Sequence, residues 1–259
     1  MEPPVQEDLN HLHKGRYGQI ESSDEGLRIG TLVRMGQAED HPVVRARYPV
    51  VRDTLVLTCS KQIRNMATVG GNLLQRIRGD GRRGSGIATY SGDFAQALIA
   101  LDATVDTIGA PSGPRRIKLA ELHRRSAETR HTHTTLQRGE LITFINIPAG
   151  PWTQRSRYIK ILYTLSRQVA FSSAAVALDM EGNKVRQARV ALGAMASIPW
   201  RSHEAEAILK GGTLDESLAA RAAEAAFAKA RPREHSAFKI PLGERTLIRA
   251  LLETSSMQV

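Results

Sequence analysis

Ile63-Arg64-Asn65-Met66-Ala67-Thr68-Val69-Gly70-Gly71-Asn72-Leu73 is the stretch on which the reading of the whole chain turns. At its centre two glycines sit between Thr68 and Val69 on one side and Asn72 on the other. Residues without a Cβ let a ligand come close to the backbone and expose N–H groups to phosphate oxygens. Asn72 adds side-chain donors, and Arg64 and Lys61 stand close enough in sequence to raise the local positive potential. On these residues alone two readings stay open: a loop that grips a phosphate, and a plain turn.

Working outward, Leu27 to Arg34 alternates at period two and predicts a strand, while residues 1–25 hold no convincing element. Residues 36–58 predict two short helices, with Pro42 and Pro49 suited to first turns. Downstream, Arg76, Arg78, Arg82 and Arg83 lie among glycines and predict a basic loop over 76–92. Asp93 precedes an apolar helix from Phe94 to Leu101 and is suited to cap it. Strands are expected at Thr104–Ile108 and Leu141–Ile147, and a short helix near Leu119–His123.

Ala149-Gly150-Pro151 is the best linker, and beyond it the pattern changes. Tyr158–Leu162, Phe171–Met180 and Val185–Leu192 predict strands, the last two joined by a hairpin turn at Glu181-Gly182-Asn183-Lys184. Three helices follow, at about 201–210, 214–230 and 241–253. Gly211-Gly212 stops the first, and Asp215 caps the second. The fold class is α+β, divided into residues 1–150 and 156–255.

The 259 residues are enough for one large domain or two modest ones, and 41% apolar with 24% charged residues is ordinary for a globular chain. The single cysteine, Cys59, excludes an intrachain disulfide and an iron–sulfur cluster, which takes about four ligands. It fits a reducing, cytoplasmic setting. Its apolar approach through Leu55, Val56 and Leu57 suits a buried structural thiol. The apolar runs are too short to span a bilayer. A formal charge of +10 without basic–aromatic interleaving or zinc-finger spacing reads as a solvated surface, with no nucleic-acid partner. His123, His131 and His133 lack carboxylate or thiolate companions at ligand spacing, so no metal site is expected. Ser172-Ser173 is outside any nucleophile elbow.

The quoted stretch resembles the second flavin loop of the FAD-binding subunits of molybdenum hydroxylases, the xanthine dehydrogenase, aldehyde oxidoreductase and carbon monoxide dehydrogenase type. The likeness continues through Ser91-Gly92-Asp93-Phe94-Ala95-Gln96-Ala97-Leu98, Gly139-Glu140-Leu141-Ile142, Tyr158-Ile159-Lys160, Ser173 to Leu178 and Ala237-Phe238-Lys239. It implies a FAD-binding domain of that type followed by a C-terminal domain of antiparallel sheet plus helices. Thr68, Val69, Gly70, Gly71 and Asn72 would wrap the FAD pyrophosphate through three or four backbone donors. Asp93 would contact the flavin nucleotide, Ile142 would place backbone or side chain beside the isoalloxazine, and Lys160 would be a flavin-contacting lysine. On their own terms Ile142 reads equally as a core strand residue and Lys160 as a lysine snorkelling from a sheet edge.

The resemblance further implies an electron-transferring subunit of a complex. Its partners would be a large subunit with the molybdenum cofactor and a small subunit with 2Fe–2S clusters. The family's first glycine-rich loop has no counterpart upstream of Leu27. The expectation is therefore an incomplete FAD domain that holds FAD weakly. It would carry no iron–sulfur cluster and would expose apolar surface along Leu27–Val33 and Thr104–Ile108. The alternative is a truncated, non-enzymatic paralogue with an assembly role.

Overall fold

The computed structural model describes residues 16–75, 92–124, 133–162, 170–232 and 236–259. The basic stretch from Arg76 to Arg83, Ser91 and His131 lie outside the described residues. After a 3-10 turn at Arg16–Gly18 come the strands β1 (Ile20–Ser23) and β2 (Gly26–Gly30). They form a hairpin with Ile20 opposite Ile29, where the sequence suggested no element before Leu27. β1 was hidden because its residues are mostly exposed and lack an apolar alternation.

Three helices follow where two were expected: α1 (Met35–Asp40), α2 (Pro42–Arg47) and α3 (Pro49–Thr58). Both prolines open their helices, where the missing N–H has no intrahelical partner to lose. Next come α4 (Lys61–Met66), α5 (Val69–Leu73), α6 (Asp93–Ala100), β3 (Thr104–Ile108), β4 (Arg115–Lys118), α7 (Leu119–Leu122) and β5 (Leu141–Pro148). The first sheet runs β1-β2-β5-β3-β4 and is antiparallel throughout.

The second sheet, β6 (Ser156–Leu162), β7 (Ala170–Glu181), β8 (Lys184–Gly193) and β9 (Trp200–Arg201), is antiparallel in that order. It carries α8 (His203–Leu209), α9 (Glu216–Phe227) and α10 (Lys239–Ser255). Asp215 accepts from the Leu218 N–H at 2.7 Å, and Gly211 takes a φ of +80° at the end of α8, as the sequence indicated. Among the described residues, no strand is shared between the two sheets.

Ala174 to Leu178 reads as an unbroken apolar run because β7 is covered on both faces. Ala174, Val176 and Leu178 pack beneath α8–α10. Ala175, Ala177 and, from β8, Ala191 join a core built from the first sheet, α3 and α6. A strand buried on both sides loses its polar alternation. Small side chains on the second face let α6 lie close, and every residue of α6 is buried.

The same core corrects one expectation. Leu27, Ile29, Val33 and Val105 are buried rather than exposed, enclosed with Val50, Leu55, Phe94 and Leu98. The chain's own helices cover that side of the sheet. Among the described residues, no helix is long and apolar enough to cross a membrane.

Candidate functional site

The Thr68–Asn72 segment is one helical turn rather than an irregular loop. Thr68 is the N-cap of α5, and its hydroxyl accepts from the Gly71 N–H at 3.1 Å. The turn is stitched to the preceding chain: Val69 N–H donates to Val33 O at 2.9 Å and Gly70 N–H to Thr31 O at 3.0 Å. Asn72 N–H closes the turn on Thr68 O at 3.0 Å. The expected set of three or four backbone donors is therefore not available. Tertiary hydrogen bonds, invisible from the sequence, already engage the Val69 and Gly70 N–H groups, and the turn itself engages that of Asn72, while the Gly71 N–H is held only by the Thr68 hydroxyl, which can rotate away.

The two glycines do different work, and neither adopts a positive φ. A Cβ on Gly70 would lie 2.7 Å from Thr31 Cβ and 2.9 Å from Thr31 O, so Gly70 is there to let α5 pack on Thr31. A Cβ on Gly71 would meet only Thr68 Oγ1, at 3.1 Å, and Gly71 is exposed. Gly71 thus presents bare backbone outward. Beside it Asn72 is buried, and its Oδ1 has no hydrogen-bond partner among the described residues. A buried amide oxygen without a donor is costly, by about 1–3 kcal/mol, unless something supplies one. An anion at Gly71 with a hydroxyl donor at Asn72 fits this surface, which is the chemistry of a nucleotide diphosphate.

Ile142 is brought to this turn through Thr31, whose hydroxyl donates to Ile142 O at 2.8 Å. Its side chain is buried in β5, while the neighbouring Leu141 is exposed. The charges near the motif are not deployed as the sequence suggested. Arg64 is buried and paired with Glu39 at 2.6 Å, and Lys61 pairs with Asp40 at 3.3 Å. Each positive charge is answered locally, so neither is a loose source of potential.

Asp93 and Lys160 meet each other, at 2.6 Å, with side chains only 4% and 2% exposed. Asp93 is the first residue of α6 and Gly92 its N-cap, so the capping role suggested by the sequence falls to Gly92. Lys160 lies on the edge strand β6 but points inward, and does not snorkel. The second Asp93 oxygen accepts from the Tyr158 hydroxyl at 2.5 Å. Burial raises the Asp93 pKa, against the pull of Lys160, Tyr158 and Thr58. Burial and then the Asp93 charge raise the Tyr158 pKa well above the phenol value, so Tyr158 remains a donor. The chain of contacts runs on through Ser173, which donates to Gln96 Oε1 at 2.7 Å, and Gln96, which donates to Ala191 O at 2.8 Å. The sequence flagged Asp93 and Lys160 separately. Tyr158, Ser173 and Gln96, all inside the quoted segments, became visible as partners only in three dimensions.

Two open depressions of about 580 and 520 Å3 lie elsewhere, on the outer face of the first sheet. Three of their arginines are engaged: Arg28 with Glu21 and Asp106, Arg116 with Asp106, and Arg115 with Glu140. Arg16, which also lines the second, has no carboxylate partner among the described residues and lies over the Phe144 ring. Cys59 is half-buried, and burial raises its thiol pKa, which suits a structural role.

The family described as the FAD binding domain in molybdopterin dehydrogenase matches residues 8–150, and the CO dehydrogenase flavoprotein C-terminal domain matches residues 157–254. The chain belongs to the FAD-binding subunits of the molybdenum hydroxylases. FAD is the cofactor of this family, and the fold is its antiparallel α+β arrangement. The aldehyde oxidoreductase FAD-binding subunit PaoB of Escherichia coli K12 is 35% identical over 90% of this chain and 80% of its own length. The carbon monoxide dehydrogenase medium chain of Afipia carboxidovorans is 29% identical over 73% of this chain and 59% of its own. Among solved structures, the cyanide-inactivated Cu,Mo-CO dehydrogenase superimposes with a TM-score of 0.79 and 24% identity. The match covers 93% of this chain and 79% of that one, a likeness of fold.

Proposed function

We propose that this chain is the flavoprotein subunit of a molybdenum-containing hydroxylase in the cytoplasm. Electrons released at a molybdenum centre on a large partner subunit pass through 2Fe–2S clusters on a small one. They reach an acceptor by way of FAD, which supplies the redox chemistry. The naming of the matched relatives as FAD-binding subunits and medium chains supports assembly with other subunits. Residues 1–150 form the FAD-binding domain in this reading, and 156–255 the C-terminal domain.

In the same reading Thr68, Val69, Gly70, Gly71 and Asn72 hold the pyrophosphate end. Gly71 gives its N–H to a phosphate oxygen, the Thr68 hydroxyl turns from acceptor to donor, and Asn72 accepts from a sugar hydroxyl. Gly70 and Val69 act by fixing the turn on Thr31 and Val33. Ile142 closes the apolar side, and Asp93 with Lys160 sets the charge behind the flavin end.

The observation that carries the proposal is the asymmetry of the glycine pair beside a buried amide oxygen without a partner among the described residues: Gly70 packed inward, Gly71 open outward, Asn72 Oδ1 awaiting a donor. Titration with FAD, followed by flavin fluorescence, tests it. Gly71→Val is expected to abolish binding, because a branched side chain occupies the phosphate's approach. Equal binding by wild type and Gly71→Val rules the turn out as the site.

A further inference from the structure

The connector from the end of α3 to α5 has more carbonyl oxygens than its own short helices can satisfy. A helix leaves its last carbonyls without backbone partners, and α4 is only six residues long. Side chains from three different elements cover the deficit. Arg64 donates through Nη1 to Val56 O at 3.0 Å and to Cys59 O. Lys160, from β6, donates to Leu57 O at 2.9 Å. Arg34, the N-cap residue of α1, donates to Met66 O at 2.8 Å and Asn65 O at 3.3 Å, and forms an isolated β-bridge with Thr68.

The two cations at the end of α3 are each fixed by a buried carboxylate. Arg64 is held by Glu39 through Nε at 2.6 Å and Nη2 at 3.3 Å, and Lys160 by Asp93 at 2.6 Å. Positive groups are favourable at this end of a helix, where the carbonyl dipoles converge. The connector is also seated on α1: a Cβ at Gly36 would lie 2.6 Å from Asn65 Oδ1.

Resting on the reading of Thr68–Asn72 as the FAD turn, we propose that Arg64, held by Glu39, is a positioning residue for that turn. Arg64 touches no cofactor in this scheme. It fixes the path of residues 59–67, and so the place at which α5 presents Gly71. The planar guanidinium is the group suited to this: two N–H groups fork onto the carboxylate while a third nitrogen serves two carbonyls. Lysine has the charge but not the fork. A role in attracting phosphate is poorly served by a side chain 8% exposed whose charge is neutralised at 2.6 Å.

The test uses the full chain with Arg64→Met, Arg64→Lys and Glu39→Gln, and Arg249→Ala as a control, since among the described residues Arg249 pairs only with Glu253, on the far helix α10. Two quantities are read: the FAD dissociation constant by flavin fluorescence, and amide hydrogen exchange without FAD over residues 59–73 against residues 203–255. Arg64→Met is expected to weaken FAD binding about tenfold or more, the loss of a charge-assisted hydrogen bond. Exchange should quicken in 59–73 alone. Arg64→Lys should fall between Arg64→Met and wild type, Glu39→Gln should follow Arg64→Met in direction, and the control should match wild type. Should Arg64→Met not fold, Arg64→Lys and Glu39→Gln carry the same comparison. Wild-type affinity in the Arg64 variants, or exchange that quickens equally in both segments, overturns the inference while leaving the FAD turn standing. Failure of wild type to bind FAD defeats the turn itself, and the inference with it.

Discussion

The Thr68–Asn72 turn and the seam between the two sheets are both polar, and they are built on opposite principles. At the turn, one face is locked onto Thr31 and Val33 while the other keeps Gly71 bare and Asn72 Oδ1 without a partner among the described residues. At the seam, Asp93, Lys160, Tyr158, Ser173 and Gln96 are linked in one buried run of hydrogen bonds. An incomplete polar surface is a place for something to bind. A completed one in a dry interior holds two layers in register, because any member left alone is expensive. The two places therefore differ in what a mutation should do: at the turn, binding should suffer more than stability, and at the seam the reverse.

The largest effect that would break this contrast is expected at the seam. Lys160→Met leaves Asp93 buried beside Tyr158 without its cation. Breaking one partner of a buried pair costs about 3–5 kcal/mol. Urea denaturation should show that loss, and the double variant Lys160→Met with Asp93→Leu should recover much of it, since apolar replacement of a buried pair is often neutral. A loss below about 1 kcal/mol in Lys160→Met would mean that the seam is wetter than its 2% and 4% exposures indicate.

The glycine pair sharpens the contrast within a single turn. Gly70→Ala forces a methyl group against Thr31 and is expected to destabilise by about 1–3 kcal/mol, the range for overpacking. Gly71→Ala has only the Thr68 hydroxyl to displace, so stability should stay within about 0.5 kcal/mol, as at ordinary surface positions. Thermal or urea unfolding of the two variants side by side reads the difference. Equal losses would show that both glycines are there for packing.

The smallest effect is electrostatic and lies beside Ile142. The Glu140 carboxylate accepts from Arg115, from the Gln137 N–H at 2.7 Å and from Thr107 at 2.5 Å, and its pKa is lowered from 4.5 to about 2. A depressed carboxylate stabilises the fold above its unfolded pKa, and that contribution is lost as pH falls through the folded value. Stability should therefore decline between about pH 4.5 and 2, and Glu140→Gln should flatten that part of the profile. The decline is modest because the Arg115 side chain is 31% exposed and solvent screens the pair. An unchanged acid profile in Glu140→Gln would place the charge elsewhere.

Most of the elements were legible from local chemistry. The prolines of α2 and α3, the cap at Asp215, the Gly211 stop and the hairpin at Gly182 each announce themselves through backbone requirements that need no distant partner. The strands that escaped notice, β1, β4 and β9, are short and hold at most one buried residue each, so no apolar period marks them. The capping role assigned to Asp93 was misplaced by one residue. Local pattern cannot tell a side chain that caps its own helix from one that turns away to meet Lys160, 67 positions later.

By itself, then, the sequence determined the α+β class, the family and the position of the glycine turn, because those rest on residue types in a fixed local order. The tertiary structure alone decided what each polar group does. It engaged the Val69 and Gly70 N–H groups with Val33 and Thr31, and neutralised Arg64 with Glu39. It buried Lys160 against Asp93 and left Gly71 open. A hydrogen bond or an ion pair is satisfied by whichever partner is nearest in space, and chain order does not encode that distance until the sheets and helices have packed.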